Sequence, residues 1–431
     1  MRNIFIIMLL CATAANAQER WTLEKCISYA IENNISIKQQ QNTIEQSEIE
    51  LNTAQMNFLP TVNANASQSW GFGRGLSMDN TYVNRNTSNT SFDLSASVNL
   101  FSGMQSYNNV QVRRLNLEAA TADLQRAKED MGISVTQAYL QALYADELRQ
   151  VAQRQAELSQ SVLTQREKMQ QNGKASESDV AEARAALAQD ELSVVQANNE
   201  YQLALLDLSQ LLELASPDNF AIEQPDTTAQ LMHIASVGEV YADALHNKAV
   251  IRGDETRIAA AERNVKVAKG GHSPSLNLSA GLGSNYYTTS GYTHDSFGDQ
   301  MDQNFNKYIN LSLHIPVFNR FATRNEVRIA RTQVDNLNLQ LDADKKALYK
   351  EVQQAYYNAV AAESKYGSSL VAEESAATSF ELIGKKFDNG KATQTEYNQS
   401  RTAWLKAVAD RIQAKYEYIF RAKILEYYRG V

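Results

Sequence analysis

The chain has 431 residues and carries the same pattern of predicted elements twice, which limits its possible folds more than any other feature. The sequence Asn-Gly-Lys-Ala at 172–175 returns at 389–392, an offset of 217 residues. Nearer the start of each copy the offset is 214, as between Pro60 and Pro274. Chance matches would scatter over many offsets. The chain is therefore a tandem duplication of one structural unit.

Each repeat is predicted to contain a helix, two strands, a long helix, a glycine turn and a returning helix. The first repeat covers 18–215, a connector covers 216–236, and the second repeat covers 237–431. The predicted bounds in the first repeat are a helix at about 23–57, strands at about 60–70 and 91–101, and helices at 103–171 and 177–214. Those in the second repeat are a helix at about 237–269, strands at about 274–284 and 307–317, and helices at 320–388 and 394–428.

Apolar and polar side chains alternate along the predicted strands, which is typical of a sheet with one apolar face. We expect the apolar positions to face lipid and the polar positions between them to line a water-filled lumen. The alternative is the core of a soluble β-sandwich. The expected lipid-facing residues are Phe92, Leu94, Ala96, Val98, Ile309, Leu311, Leu313 and Ile315.

The long helices carry an apolar residue at every seventh position, a period that indicates helices packed lengthwise in a supercoil. A helix over 103–171 would be roughly 100 Å long at 1.5 Å per residue. The first copy of the seam consists of Val110, Leu117, Leu124, Met131, Ala138 and Ala145.

Residues 1–17 have a basic start, an apolar core and an Ala-x-Ala motif before Gln18, which predicts a secretory signal peptide. Cys11 raises the alternative of a lipoprotein. Leu10, however, occupies the position where a small residue precedes an acylated cysteine, so we predict simple cleavage. The mature chain then has Cys26 as its only cysteine, which excludes an intrachain disulfide.

The composition argues against a nucleic-acid-binding protein and against a membrane protein with transmembrane helices. The net charge is −8 and no Lys/Arg patch is present, so we expect no nucleic-acid partner. After the predicted signal peptide, no stretch reaches the ~18–20 apolar residues of a transmembrane helix. If the mature chain enters a membrane, it must therefore do so with strands.

Four strands per chain cannot close into a barrel, and an open strand edge is not tolerated in lipid. Small closed barrels need about eight strands. We therefore predict an α+β membrane protein whose barrel is completed by further copies of the chain under cyclic symmetry. Two copies would give eight strands and three would give twelve, and the sequence pattern alone leaves this choice open.

The duplicated order of elements resembles the TolC family of outer-membrane efflux proteins over essentially the whole mature chain. The opening Trp-Thr-Leu at 21–23, the Pro at each helix-to-strand step and the Leu-Phe-Ser-Gly at 100–103 are also similar. The chain departs from the family at Asn34 and Lys248, where a Pro often follows the Asn. The resemblance implies a homotrimer with a twelve-stranded transmembrane β-barrel, a long antiparallel α-helical barrel in the periplasm, a periplasmic membrane-fusion adaptor and an inner-membrane pump.

The resemblance places the two glycine turns at the periplasmic tip, where the duct closes and the adaptor docks. The implied docking residues are Gly173, Lys174, Ala175, Gly390, Lys391 and Ala392. Family members often close the mouth with a Tyr and an Arg near the second turn, at positions that Phe387 and Ala392 occupy here.

Acidic residues after each turn are candidates for a ring that narrows the mouth. Glu396 is the first candidate, with Asp179 and Glu182 as possible additions. The alternative is helix capping, because Ser176-x-x-Asp179 and Thr393-x-x-Glu396 both match the capping box. We weigh the two interpretations evenly for Glu396 and favour the cap for Asp179.

No catalytic, cofactor or metal site is predicted. The five histidines are scattered and none has a metal-ligand spacing. The Gly-rich segment 71–75 does not lead into a helix, so we interpret it as a flexible loop and not as a phosphate site. Trp70, Tyr286 and Tyr287 fit either an interfacial aromatic girdle or exposed loops. We therefore predict a passive outer-membrane conduit with a periplasmic extension, driven by its partners. The alternatives are a secreted coiled-coil adhesin and, more distantly, an enzyme.

Overall fold

A computed structural model describes residues 20–76, 80–216, 220–224 and 234–430. The predicted signal peptide, together with Cys11, Pro217, Pro225 and His233, lies outside the described residues. The elements in chain order are β1 (Arg20–Trp21), α1 (Leu23–Asn33), α2 (Ile35–Met56), β2 (Thr61–Gly71), β3 (Arg74–Leu76), β4 (Tyr82–Asn84), β5 (Thr87–Ser102), α3 (Gln105–Gln171), α4 (Glu177–Leu211), β6 (Ala221–Ile222), α5 (Val237–Asn247), α6 (Ala249–Gly270), β7 (Ser275–Thr289), α7 (Phe297–Gln303), β8 (Asn306–His314), α8 (Ala322–Asp388) and α9 (Gln394–Arg429).

The chain forms two compact units, and each unit draws on both repeats. The helical unit takes its described residues from the stretches that end at Asn42, run from Ala122 to Arg252 and begin at Asp342. The sheet unit consists of Thr43–Thr121 and Gly253–Leu341. Among the described residues, no helix is both long enough and apolar enough to cross a membrane.

The helix that opens each repeat is broken, whereas the sequence pattern predicted one continuous helix in each copy. The breaks fall at Asn34 and Lys248, which have extended backbone and cap α1 and α5. The Asn34 side chain accepts from the Ser36 amide at 2.9 Å and donates to the Leu211 carbonyl at 3.2 Å. The Lys248 ammonium donates to Glu129 at 3.0 Å. Side-chain contacts therefore stabilise the break at the two positions where a Pro was expected from the family.

The core of the helical unit lies where α1, α3, α4 and α9 meet. Its buried side chains are mostly apolar, and burying a Val, Leu or Ile contributes roughly 1.5–3 kcal/mol. The core includes Cys26, Ala30, Val135, Tyr139, Leu143, Leu208, Leu212 and Ile412.

A short parallel ribbon of β1 and β6 lies against this core and was not predicted from the sequence, which gave 216–236 as a connector. The Tyr139 hydroxyl lies 2.6 Å from the carbonyl oxygen of Glu223 and 3.0 Å from that of Trp21, so it ties the ribbon to α3.

The sheet unit contains an antiparallel four-stranded sheet in the order β2-β5-β7-β8. The strands of the two repeats therefore lie side by side, with β5 of the first repeat paired to β7 of the second. Strand β8 ends at His314, short of the predicted 317, because Pro316 has no amide to donate to a ladder.

The described residues between the predicted strands, 71–76, 80–90 and 284–306, contain further secondary structure. Strands β3 and β4 pair as a small hairpin in the first repeat. In the second repeat, β7 continues to Thr289 and the short helix α7 follows it.

Both junctions between the sheet and a long helix place two successive residues at positive φ. These are Gly103 and Met104 before α3, and Arg320 and Phe321 before α8, again 217 residues apart. A Cβ on Gly103 would lie 2.4 Å from the carbonyl oxygen of Gly270, so this position requires glycine for space as well as for conformation. The duplication thus extends to backbone conformation.

Candidate functional site

The two glycine turns of the helical unit have the same hydrogen-bond pattern. Gly173 and Gly390 have φ of 71° and 68°, the left-handed conformation that ends a helix at least cost when the residue is glycine. The Lys174 amide donates to the Met169 carbonyl at 2.8 Å, and the Lys391 amide donates to Lys386 at 2.8 Å. A Cβ on either glycine would meet open space, so backbone conformation alone accounts for the residue.

Both predicted capping boxes are present after the turns. The Ser176 amide donates to Asp179 Oδ2 at 2.7 Å and the Asp179 amide donates back to Ser176 Oγ at 3.2 Å. Thr393 and Glu396 make the same pair of bonds at 2.7 and 3.2 Å. These hydrogen bonds lower the pKa of Asp179 and of Glu396 from the ordinary range. Both carboxyls are therefore charged at neutral pH.

The candidate gate acids Asp179, Glu182 and Glu396 all lie exposed near the start of a returning helix. The carboxylates of Asp179 and Glu396 point back to their own caps. This geometry satisfies the capping interpretation and leaves both acids open to solvent.

A row of aromatic side chains near the second turn joins α8 and α9. Phe387 stacks on Tyr397 with ring centroids 4.8 Å apart, and Phe380 stacks on Trp404 at 5.2 Å. From the first repeat, the Arg166 guanidinium lies over the Phe387 ring at 4.6 Å. Phe387, which stands where the family often has Tyr, thus receives a cation–π contact across the two hairpins. Arg166 could not be identified as this partner from the sequence, because a contact between distant helices has no local pattern.

A buried polar cluster also joins the two hairpins. The Arg401 side chain of α9 pairs with Asp190 of α4, and the two are 12% and 13% exposed. The Ser159 hydroxyl of α3 donates to the same carboxylate at 2.5 Å. The Gln155 amide lies against the Arg401 guanidinium. The cluster, missed by the sequence interpretation, holds three helices from both repeats together.

The four-stranded sheet has one apolar and one polar face. Its register aligns Val62, Ala96, Ala280 and Ile309 in a row across the strands. The next row holds Ala64, Leu94 and Leu282 and ends on β8 with Lys307. The predicted lipid-facing residues of β5 and β8 therefore share one face, which we call the apolar face. Ile315 follows the end of β8 and is not part of its ladder.

The opposite face, the polar face, carries hydrogen-bonding side chains. Asn65 donates to Asp93 at 2.8 Å, and the hydroxyls of Ser67 and Ser91 lie 2.7 Å apart. Asn310 and other polar residues of β8 share this face through the register of β7 and β8.

Both edges of this sheet are open. Within the described residues, β2 and β8 pair with a sheet neighbour on one side only. Apolar side chains on β8 are largely exposed, up to 82% for Ile309. A sheet with two open edges and exposed apolar side chains on one face is incomplete in a single chain.

Across the described ranges, no group of three or more His, Cys, Asp or Glu side chains is placed to hold a metal ion.

A model of the outer membrane efflux protein family matches the chain twice, at residues 26–213 and 240–425. The two segments correspond to the two repeats and cover most of the chain. The resemblance to this family inferred from the sequence is confirmed.

Individual relatives are distant. The chain is 28% identical to the pyoverdine export outer membrane protein OpmQ of Pseudomonas putida over 256 residues, which are 58% of this chain and 51% of OpmQ. It is 23% identical to the outer membrane protein TolC of Escherichia coli over 385 residues, 86% of this chain and 74% of TolC. The aligned part thus spans about half the length of OpmQ.

The fold is shared more widely than the sequence. A crystal structure of CusC superimposes with a TM-score of 0.77 at 17% identity, covering 94% of this chain and 91% of CusC. The predicted fold class, an α+β membrane protein with long antiparallel helices and barrel strands, is confirmed. So is the predicted location in the outer membrane. The chain belongs to the outer membrane efflux protein family, a family of channels and not of enzymes.

Proposed function

We propose that three copies of this chain form a channel through the outer membrane, with the helices extending into the periplasm. Each copy supplies four strands to a twelve-stranded barrel, in which β8 of one copy pairs with β2 of the next. The channel conducts passively, and an inner-membrane pump with a periplasmic adaptor drives transport. This interpretation is favoured over a secreted adhesin because the family match covers both repeats.

The observation that carries the proposal is the incomplete sheet. In lipid, every strand edge must be paired, and an apolar face must meet either lipid or a core. Pairing β8 with β2 of a neighbour satisfies both edges by one cyclic operation. The apolar face then meets lipid and the polar face, with Asp93 and Asn310, lines the lumen.

The twin glycine turns are the proposed adaptor-docking elements. The docking residues are Gly173, Lys174, Ala175, Gly390, Lys391 and Ala392. The two turns share one backbone geometry but differ in side chains, so an adaptor would meet two kinds of turn alternating around the trimer. We propose Glu396 in three copies as the acidic ring of the mouth, with Asp179 and Glu182 as additions.

Planar-bilayer recording of the purified protein tests the channel. We expect discrete conductance steps, and reconstituted protein that never conducts would contradict the proposal.

The variant Glu396→Gln separates the two roles of this residue, because a Gln at this position keeps the capping box and removes the charge. If Glu396 forms the ring, Glu396→Gln raises the conductance and weakens block by divalent cations. If Glu396 is a cap only, neither quantity changes. Thr393→Ala, which removes the cap and keeps the charge, is the matched control.

A further inference from the structure

The apolar face of the sheet is not uniform, because helix α7 lies on its outer part and forms the wall of a groove. The Ser284 hydroxyl, on the same face as Leu282, donates to the Met301 carbonyl at 2.6 Å. The Gln300 side chain accepts from the Tyr287 amide at 2.9 Å, and Asn304 donates to the Asn285 carbonyl at 2.6 Å. Three hydrogen bonds to β7 thus fix the position of the wall.

The groove between α7 and the sheet has a volume of about 410 Å³, within the size range of ligand sites. Its floor is lowered by the small side chains of β2. The apolar lining residues are Ala64, Ala66, Phe92, Leu94, Leu282, Met301 and Phe305. The Asp93 carboxylate accepts from Asn65 on the polar face and so points away from the groove. The Lys307 ammonium lies over the Phe305 ring at 5.1 Å, at the border of the groove.

The groove lies near the end of the strands opposite to the end at which α2 and α3 join the sheet. In the sheet unit, α2 leads into β2 and β5 leads into α3, so the helix-bearing end is the periplasmic end under the proposed function. Phe92 lies ten residues from the helix-bearing end of β5, Ser102. At ~3.3 Å per residue and a tilt of ~40°, that is roughly 25 Å along the barrel axis, the height of the apolar band. The groove therefore belongs to the outer leaflet.

Large apolar side chains remain exposed around the groove. Phe297 and Phe305 are 50% and 47% exposed, although the same segment carries Asp295, Asp299 and Asp302. Apolar surface of this kind needs a cover. The groove opens onto the rest of the apolar face, so whatever covers that face also reaches the groove. Under the proposed function this is lipid.

We propose that the groove beneath α7 binds an acyl chain of an outer-leaflet lipid, one in each chain of the trimer. This inference rests on the proposed function, because only that function places the apolar face in a membrane. The wall residues Met301 and Phe305 would pack along one side of the acyl chain, and Phe92 and Leu94 would lie beneath it. The bound chain would fix the outer rim of the barrel to the membrane.

Native mass spectrometry of the trimer, reconstituted in phosphatidylethanolamine–phosphatidylglycerol vesicles and released into mild detergent, tests this. We expect retained phospholipid, up to one molecule per chain. Ala66→Trp fills the groove and should abolish retention. Val98→Trp adds the same side chain to the same face outside the groove and should retain lipid as wild type does. Phe305→Asp, which puts a charge on the wall, is a second variant with the same expected loss.

Equal retention in all variants, or none in wild type, would overturn the groove proposal. A nitroxide label distinguishes that failure from failure of the proposed function. It is placed at Leu311→Cys on the apolar face, with Asn310→Cys as its neighbour on the polar face. Cys26 is buried, which raises the pKa of its thiol to about 12, so it stays unlabelled. If the label at position 311 is accessible to oxygen but not to a water-soluble nickel chelate, position 311 lies in the membrane and the proposed function stands. Accessibility of this label to the chelate would contradict the proposed function itself.

Discussion

At the scale of single residues, the two turns show how a duplicated sequence keeps its geometry while its chemistry changes. Asp179 and Glu396 differ by one methylene, yet each accepts from its N-cap amide at 2.7 Å. The capping boxes could be predicted because the residues of the motif are close in sequence. The contact of Arg166 with Phe387 could not, because it joins residues more than 200 positions apart.

The cap at Glu396 should persist in mild acid. Hydrogen bonds from Thr393 lower the pKa of Glu396 below its ordinary value of 4.5. A lowered folded-state pKa means that the carboxylate stabilises the fold above the ordinary pKa and that this contribution is lost as the pH falls through the lowered value. Hydrogen exchange at the start of α9 should therefore show protection at pH 4.5 that disappears at lower pH. Loss of protection already above pH 4.5 would contradict the cap.

Equivalent positions before the two long helices should respond oppositely to substitution. Gly103→Ala adds a Cβ that would lie 2.4 Å from the Gly270 oxygen, so we expect a loss of at least about 1–2 kcal/mol. Arg320 already has φ of 56°, so Arg320→Gly should leave stability unchanged or raise it by up to about 1 kcal/mol. Thermal unfolding in detergent measures both. A similar loss of stability in the two variants would contradict the shared backbone conformation of the two junctions.

At the scale of elements, side chains between helices decide features that periodicity cannot reveal. The alternation of β5 was visible in the sequence because a sheet with two different faces imposes a local period of two. The break after α1 was missed because Asn34 is held by a bond to Leu211, at the far end of α4. The ribbon of β1 and β6 was missed for the same reason. Each of its strands has only two residues, and the paired residues are 201 positions apart in the sequence.

Replacing only one partner of the Asp190–Arg401 pair should destabilise the fold more than replacing both. Arg401→Met leaves a mostly buried carboxylate without its cation, which typically costs about 3–5 kcal/mol. Replacing both, as Asp190→Leu with Arg401→Met, should recover most of that loss. Chemical unfolding of the single and double variants measures the difference. A double variant as unstable as the single one would argue against the pair as the cause.

The two faces of β8 should differ in their tolerance of charge. Ile309→Arg places a cation on the apolar face near the middle of the strand, which should cost roughly 2–4 kcal/mol in a bilayer. Asn310→Arg is its neighbour on the polar face and should cost little. Folding into lipid vesicles, followed by urea titration, compares them. Equal costs would mean that β8 does not separate lipid from lumen.

At the scale of the whole molecule, the sequence predicted the class of fold because duplication and strand number restrict the architecture strongly. The number of copies did not follow from the pattern, which allowed eight strands or twelve. The structure of one chain adds the order β2-β5-β7-β8, which leaves one strand of each repeat at an edge. Closure by β8 and β2 of neighbouring copies is the step that connects this chain to a channel.

Native mass spectrometry of the protein extracted from outer membranes tests that step most directly. Three chains per particle are predicted, with dissociation when β8 is given a proline at Leu311, because Leu311→Pro removes an amide from the ladder. Particles that contain a single chain, recovered from the soluble periplasm, would contradict the account.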